Sequence, residues 1–139
     1  MRVRGAVHHV DVTVKSPEAS RAFYEAVLGF MGYVFVADHE RGFDMDLRDA
    51  SGFVTSFGVM RAKPESADRA HDRYAPGLHH VAWNADSRAD VDALHALLLE
   101  IGATILDAPA EYPRYGAGYY AVFFADPDGL KLEYVHKPG

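Results

Sequence analysis

Cysteine is absent from the 139-residue chain. That excludes a disulfide framework and thiolate-held metals, so any metal must be held by imidazole, carboxylate, carbonyl or water. Positive charge is in short supply, with 14 Lys and Arg against 20 Asp and Glu, a net charge of −6 and a pI of about 5.7. Nucleic-acid binding draws on a basic patch, and docking on an anionic membrane surface draws on clustered Lys and Arg, so both are disfavoured. No apolar run approaches the roughly 20 residues of a membrane span. Arg2 and Arg4 in the segment 1–6 are not followed by an apolar stretch, so the segment is not read as a signal peptide. A cytoplasmic location is the expectation.

Apolar residues at 49 % and charged residues at 24 % match a globular domain able to bury a core. The length suits one domain over 1–139. Within it the tripeptide His-His-Val occurs twice, at His8-His9-Val10 and His79-His80-Val81. Each copy opens a strand-like run leading into a helix-like run, and from His9 to His80 the period is about seventy residues.

Residues 7–14 alternate, with His8, Val10, Val12 and Val14 opposite His9, Asp11 and Thr13. Ser16-Pro17 reads as N-cap and first helical residue, Phe23, Ala26 and Val27 lie on an apolar stripe, and Gly29 is the expected stop. Strands are expected over 30–37, 43–48 and 53–60. The segment 62–77 is polar, carries two prolines and reads as a linker between a first module, 7–61, and a second, 78–136. In the second, a strand over 78–85 places His80, Ala82 and Asn84 on one face. A helix follows, with Ser87 and Asp90 at its start, a stripe of Val91, Leu94, Leu98 and Ile101, and Gly102 at its end. A short strand is expected over 103–106, a Tyr-containing loop over 107–118, and strands over 119–124 and 130–135 joined by Asp126-Pro127-Asp128-Gly129. The fold class is therefore α+β, with two tandem βαβββ modules whose sheets join into a cupped mixed sheet, helices on the outer face.

By strand parity His9 and His80 fall on the polar face, and Glu133 lies opposite Leu130, Leu132 and Tyr134. Two imidazoles and one carboxylate suit Fe2+, Mn2+, Ni2+ or Zn2+ and leave coordination positions open for adjacent substrate oxygens. The bland reading weighs against this: a lone strand histidine is usually structural. His8 and His79 are expected to be packed or hydrogen-bonded on the apolar face, His39, His71 and His136 to lie on the surface or in loops, and His95 on a helix. Asp11 reads as a base, an outer partner of the site or a solvated acid. Tyr112, Tyr115 and Tyr119 read as pocket walls or as loop packing.

Several stretches together resemble the vicinal oxygen chelate superfamily, which includes glyoxalase I, bleomycin resistance proteins, fosfomycin resistance enzymes and extradiol dioxygenases. They are the strand from His9 to Val14, Phe23-Tyr24-Glu25-Ala26-Val27-Leu28-Gly29-Phe30, the strand from Leu78 to Trp83, and Phe123-Phe124-Ala125-Asp126-Pro127-Asp128-Gly129-Leu130-Lys131-Leu132-Glu133. The resemblance implies ligands from the first and fourth strands of each module. His9 and His80 match the first-strand positions and Glu133 the last. The remaining position falls near Thr55-Ser56-Phe57-Gly58, which holds no carboxylate, amide or imidazole. This departs from the four-ligand glyoxalase I pattern and leaves the His, His, Glu set of extradiol dioxygenases and fosfomycin resistance enzymes. Both of those matches also depart in detail. Phe123 stands where extradiol enzymes carry Tyr, Arg114, Tyr115 or Gly116 where they carry a catalytic His, and Asp11 where fosfomycin enzymes carry Thr.

The functional expectation is an enzyme binding one divalent metal through His9, His80 and Glu133. It acts on a small substrate with adjacent oxygens by dioxygenase-like or lyase-like chemistry, with Asp11 and Tyr115 as catalytic candidates. Phe57, Tyr115, Tyr119 and Phe123 are the expected substrate pocket. The alternative is a metal-independent, drug-sequestering binding protein of the bleomycin-resistance type. By resemblance, a homodimer is the expected assembly.

Overall fold

The computed structural model describes residues 4–52 and 54–139. Residues 1–3, part of the segment weighed as a signal peptide, and Phe53, the expected first residue of the fourth strand, lie outside the described residues. The chain divides into two compact units, Met1–Arg69 and Ala70–Gly139. Unit one comprises β1 (His9–Val14), α1 (Pro17–Phe30), β2 (Val34–His39), β3 (Gly42–Arg48) and β4 (Val54–Arg61). Unit two comprises β5 (Val81–Asn84), α2 (Arg88–Glu100), β6 (Thr104–Glu111), β7 (Tyr120–Ala125) and β8 (Lys131–His136). Each unit is thus a βαβββ module, and the α+β class follows. No helix among the described residues is long and apolar enough to cross a membrane.

The two sheets have the same topology, β1-β4-β3-β2 and β5-β8-β7-β6. In each, the first strand runs parallel to the fourth, and the other pairings are antiparallel. The helix is the crossover that a parallel pair requires. Strand alternation separates a helix-facing layer from a polar layer. In unit one Val12, Val14, Phe43, Met45, Phe57 and Val59 are buried with Phe23, Tyr24, Val27 and Leu28 of α1. In unit two Val122, Phe124, Leu132 and Tyr134 are buried with Val91, Leu94 and Leu98 of α2.

Ser16 caps α1 as its sequence position implies, its Oγ accepting from the Ala19 N–H at 3.1 Å. Gly29 does not stop the helix. The chain stays helical through Phe30, and the reversal uses Gly32, whose φ of +103° only glycine adopts without strain. The Tyr33 N–H then closes on the Leu28 carbonyl at 2.9 Å, so β2 begins at Val34 rather than at residue 30. β6 extends to Glu111, well past the expected 103–106, because register shifts after Ile105 and Asp107 accommodate the intervening residues, Pro109 among them. β1 and β5 begin later than expected, at His9 and Val81. His8 and His79 therefore precede the strands and are exposed, not packed on the apolar face.

At the start of α2, Ser87 Oγ accepts from the Asp90 N–H at 3.0 Å, while Asp90 Oδ2 accepts from the Asp86 N–H at 3.1 Å and from the Tyr134 hydroxyl at 2.5 Å. This ties the helix start to β8. Burial, then the Asp90 carboxylate, pushes the Tyr134 phenol above the ordinary tyrosine range. Because the folded state holds this proton more tightly, the stabilisation is complete below the unfolded tyrosine value of 10.0 and is lost as pH rises past it. Tyr134→Phe should therefore cost about 1 kcal/mol at pH 7, with the difference from wild type shrinking in denaturation midpoints measured at increasingly alkaline pH.

Candidate metal centre

In unit two, β8 places Lys131, Glu133 and Val135 on the polar face, because the alternate residues Leu132 and Tyr134 are claimed by the helix layer. Glu133 lies directly opposite Ala82 on β5 and Phe123 on β7. His80, just before β5, reaches it: His80 Nε2 and Glu133 Oε1 are 2.9 Å apart. The Tyr119 hydroxyl donates to the other carboxylate oxygen, Oε2. Glu133 is only 2 % exposed, so its charge is buried and held by these two polar groups. Burying a carboxylate costs several kcal/mol unless a partner compensates, and His80 and Tyr119 are the partners here.

The doubled histidine acquires a physical meaning here. His79 Nδ1 lies 2.7 Å from His80 Nδ1, so one of the two nitrogens donates to the other. That contact orients the His80 ring and leaves Nε2 aimed at Glu133, as an outer partner orients a ligating imidazole. Desolvation of the ring, then the neighbouring His80, holds the His79 imidazole below its ordinary pKa. In unit one the arrangement recurs: His8 Nδ1 lies 3.0 Å from His9 Nδ1, and His9 Nε2 lies 3.8 Å from Asp11 Oδ2. The sequence carries this signal in the repeated His-His pair: of the two expectations for His8 and His79, hydrogen bonding is the one the structure shows, but each partner is the adjacent histidine rather than a group on the apolar face.

Aromatic side chains surround the unit-two pair. Tyr112 packs edge-on to Phe123 at 5.4 Å and stacks with Tyr115 at 5.8 Å, while Tyr115 lies 5.4 Å from Tyr119. Phe123 also meets the His80 ring at 6.4 Å. Burial, then the hydrogen bond to Glu133, pushes the Tyr119 phenol well above its ordinary range, which keeps it protonated as the donor to Glu133.

The expected residues therefore divide. His80, Glu133, Tyr119, Phe123 and Tyr115 gather in unit two. His9 and Asp11 lie together in unit one, on a cavity of about 410 Å³ that His8, Asp44, Asp46, Ser56, Val36 and Met60 also line. Phe57 is placed differently from its expected pocket role. It is 1 % exposed, on the helix-facing side of β4, with its ring 5.5 Å from that of Tyr24. Strand parity is the reason, since Ser56, Gly58 and Met60 take the polar face. Among the described residues, no three His, Asp or Glu side chains form a metal-sized cluster. Among the described residues, unit two sets His80 beside Glu133, and unit one sets His9 beside Asp11 and His39 beside Asp44.

Residues 6–134 match the family profile of the Glyoxalase/Bleomycin resistance protein/Dioxygenase superfamily. The uncharacterized protein YqjT of Bacillus subtilis (strain 168) is 31 % identical over 129 residues, covering 93 % of this chain and 97 % of its own. A crystal structure of a candidate glyoxalase from Bacillus halodurans is 31 % identical, covers 96 % of this chain and 97 % of its own, and superposes with a TM-score of 0.76. The glyoxalase/bleomycin resistance protein from Albidiferax ferrireducens T118 is 26 % identical, covers 93 % and 97 %, and has a TM-score of 0.70. With the profile spanning nearly its whole length and the paired βαβββ modules in place, the chain belongs to the Glyoxalase/Bleomycin resistance protein/Dioxygenase superfamily.

Proposed function

We propose that the protein is a divalent-metal-dependent enzyme acting on a small substrate with adjacent oxygens, by dioxygenase-like or lyase-like chemistry. The observation that carries this reading is the buried Glu133 carboxylate facing His80 Nε2 at 2.9 Å on the polar face of β8. Imidazole nitrogen and carboxylate oxygen are the donors that Fe2+, Mn2+, Ni2+ and Zn2+ accept. The donor chemistry therefore fits, with His80 and Glu133 as one pair of ligands and His9 as the further imidazole. Such a cation, when bound, polarises the paired oxygens of a substrate and stabilises negative charge that develops on them.

The protein's own residues supply the remainder. His79 holds the His80 ring in orientation. Tyr119 donates to Glu133 Oε2, which fixes that carboxylate with Oε1 turned toward His80. Tyr112, Tyr115 and Phe123 supply an apolar wall beside the pair, suited to the hydrocarbon part of a substrate and to excluding water. Asp11 and Tyr115 are the candidates for moving a substrate proton. A homodimer working in the cytoplasm completes the proposal.

One set of observations favours the drug-sequestering alternative. The aromatic cluster would hold a planar ligand unaided, and no three-donor cluster forms among the described residues. The deciding measurement is metal stoichiometry. Apoprotein titrated with Fe2+, Mn2+, Ni2+, Zn2+ and Co2+ should take up about one ion per site, and His80→Ala should abolish uptake. Oxygen uptake with catechols and isomerase assays with adjacent-oxygen substrates then assign the reaction. A repleted protein that stays metal-free, yet binds aromatic ligands equally with and without chelator, would move the assignment to sequestration.

A further inference from the structure

The two units carry the same register, which allows their polar faces to be compared position by position. In unit two, β5 contributes Ala82 and β8 contributes Glu133 to one directly paired position. Two residues earlier on the first-strand side comes His80. In unit one the corresponding pair is Asp11 on β1 and Gly58 on β4, again with the histidine, His9, two residues before the first-strand member. The acid and the small residue have exchanged strands. Unit two reads small then acid; unit one reads acid then glycine.

Glycine at position 58 is what makes the exchange possible. A Cβ there would overlap Asp11 Oδ1 and would lie 2.9 Å from Asp44 Oδ1. The Asp11 carboxylate thus occupies the space a side chain on β4 would fill. On the same strand face, His9 Nε2 is 3.8 Å from Asp11 Oδ2. Asp44 reaches the cradle from β3, but it is directed toward His39, at 3.5 Å, rather than toward His9. Two carboxylates converge on one glycine, and the described lining of that cavity contains neither Lys nor Arg. Like charges gathered in this way oppose folding and are relieved when a cation binds.

Resting on the metal-dependent reading above, we propose that His9 and Asp11 form a cation half-site equivalent to His80 and Glu133. Asp11 supplies from the first strand the carboxylate that Gly58 cannot supply from the fourth.

The test is a Co2+ titration of apoprotein followed by equilibrium dialysis and by visible d–d absorption, which reports donor number. Asp11→Ala should weaken Co2+ binding about 10-fold or more and alter the absorption band, and Asp11→Asn should weaken it less. The double variant Asp11→Ala, Gly58→Glu rebuilds on unit one the small-then-acid order of unit two. It should recover affinity to within a few-fold of wild type, which a merely structural role for Asp11 would not produce. Apo Asp11→Ala should have a circular dichroism spectrum and melting temperature no worse than wild type, because a repelling charge has been removed. Asp11→Ala with wild-type affinity and spectrum, while His80→Ala loses the ion, overturns the Asp11 assignment and leaves the metal reading standing. A wild-type protein that takes up no Co2+ overturns both.

Discussion

Glu133→Gln is expected to lower divalent-metal affinity by more than the roughly 10–100-fold that loss of an outer hydrogen-bond partner costs at a metal site. The substitution preserves size, and it retains an oxygen that can accept from the Tyr119 hydroxyl. What it removes is the negative charge facing His80 Nε2. A neutral amide oxygen is a poor donor to the cations that imidazole and carboxylate select. The apoprotein should respond in the opposite sense. Glu133 is 2 % exposed, and a carboxylate buried to that degree carries a desolvation penalty of several kcal/mol that a neutral amide escapes. Apo Glu133→Gln should therefore melt at the wild-type temperature or above. Isothermal titration and thermal melts of the metal-free proteins check both halves. A variant that binds metal normally but melts several degrees lower would make Glu133 a structural acid and remove the central donor from the proposal.

Gly42→Ala is expected to cost about 3 kcal/mol, the upper end of the usual range for overpacking, and to lower the melting temperature by about 10 °C. Gly42 opens β3 and pairs with Met60 of β4. A Cβ at this position would overlap the Val59 carbonyl oxygen, and would lie 2.9 Å from the Val59 carbonyl carbon and 3.3 Å from Met60 Cα. Every one of those atoms is backbone, so relief requires the β3–β4 ladder to open. Gly58 presents the contrasting case, because the atoms nearest its absent Cβ are the ends of the Asp11, Met60 and Asp44 side chains, which can turn away. Gly42 is thus a glycine of the fold and Gly58 a glycine of the site. Urea denaturation at constant m-value checks the first prediction. An unchanged midpoint would mean that the ladder yields at no cost where β3 begins.

The module pattern was legible because it rests on short-range periodicity. Alternation through Val10, Val12 and Val14 and the stripe through Val91, Leu94 and Leu98 are written directly in residue spacing, and burial follows them. Strand parity likewise puts His9, His80 and Glu133 on polar faces. Termini were read less well. Gly29 and Gly32 are both reasonable helix stops by composition, and the choice depended on which one must turn the chain toward β2. β6 was cut short because a proline at position 109 argues against a strand unless bulges absorb it, and bulges have no local sequence signature.

The amino-acid sequence by itself determined the paired βαβββ architecture and the candidate donors, since these follow from periodicity, repeat and residue chemistry along one dimension, while the family was legible through the resemblance of particular stretches such as Phe123 to Glu133. Tertiary structure alone decided that Phe57 belongs to the helix-facing core, that His8 and His79 orient their neighbours, that Tyr119 holds Glu133, and that Asp11 fills the space left by Gly58. Those facts depend on which residue of one strand lies opposite which residue of another. Register of that kind is set by hydrogen-bonded ladders between segments that are distant along the chain.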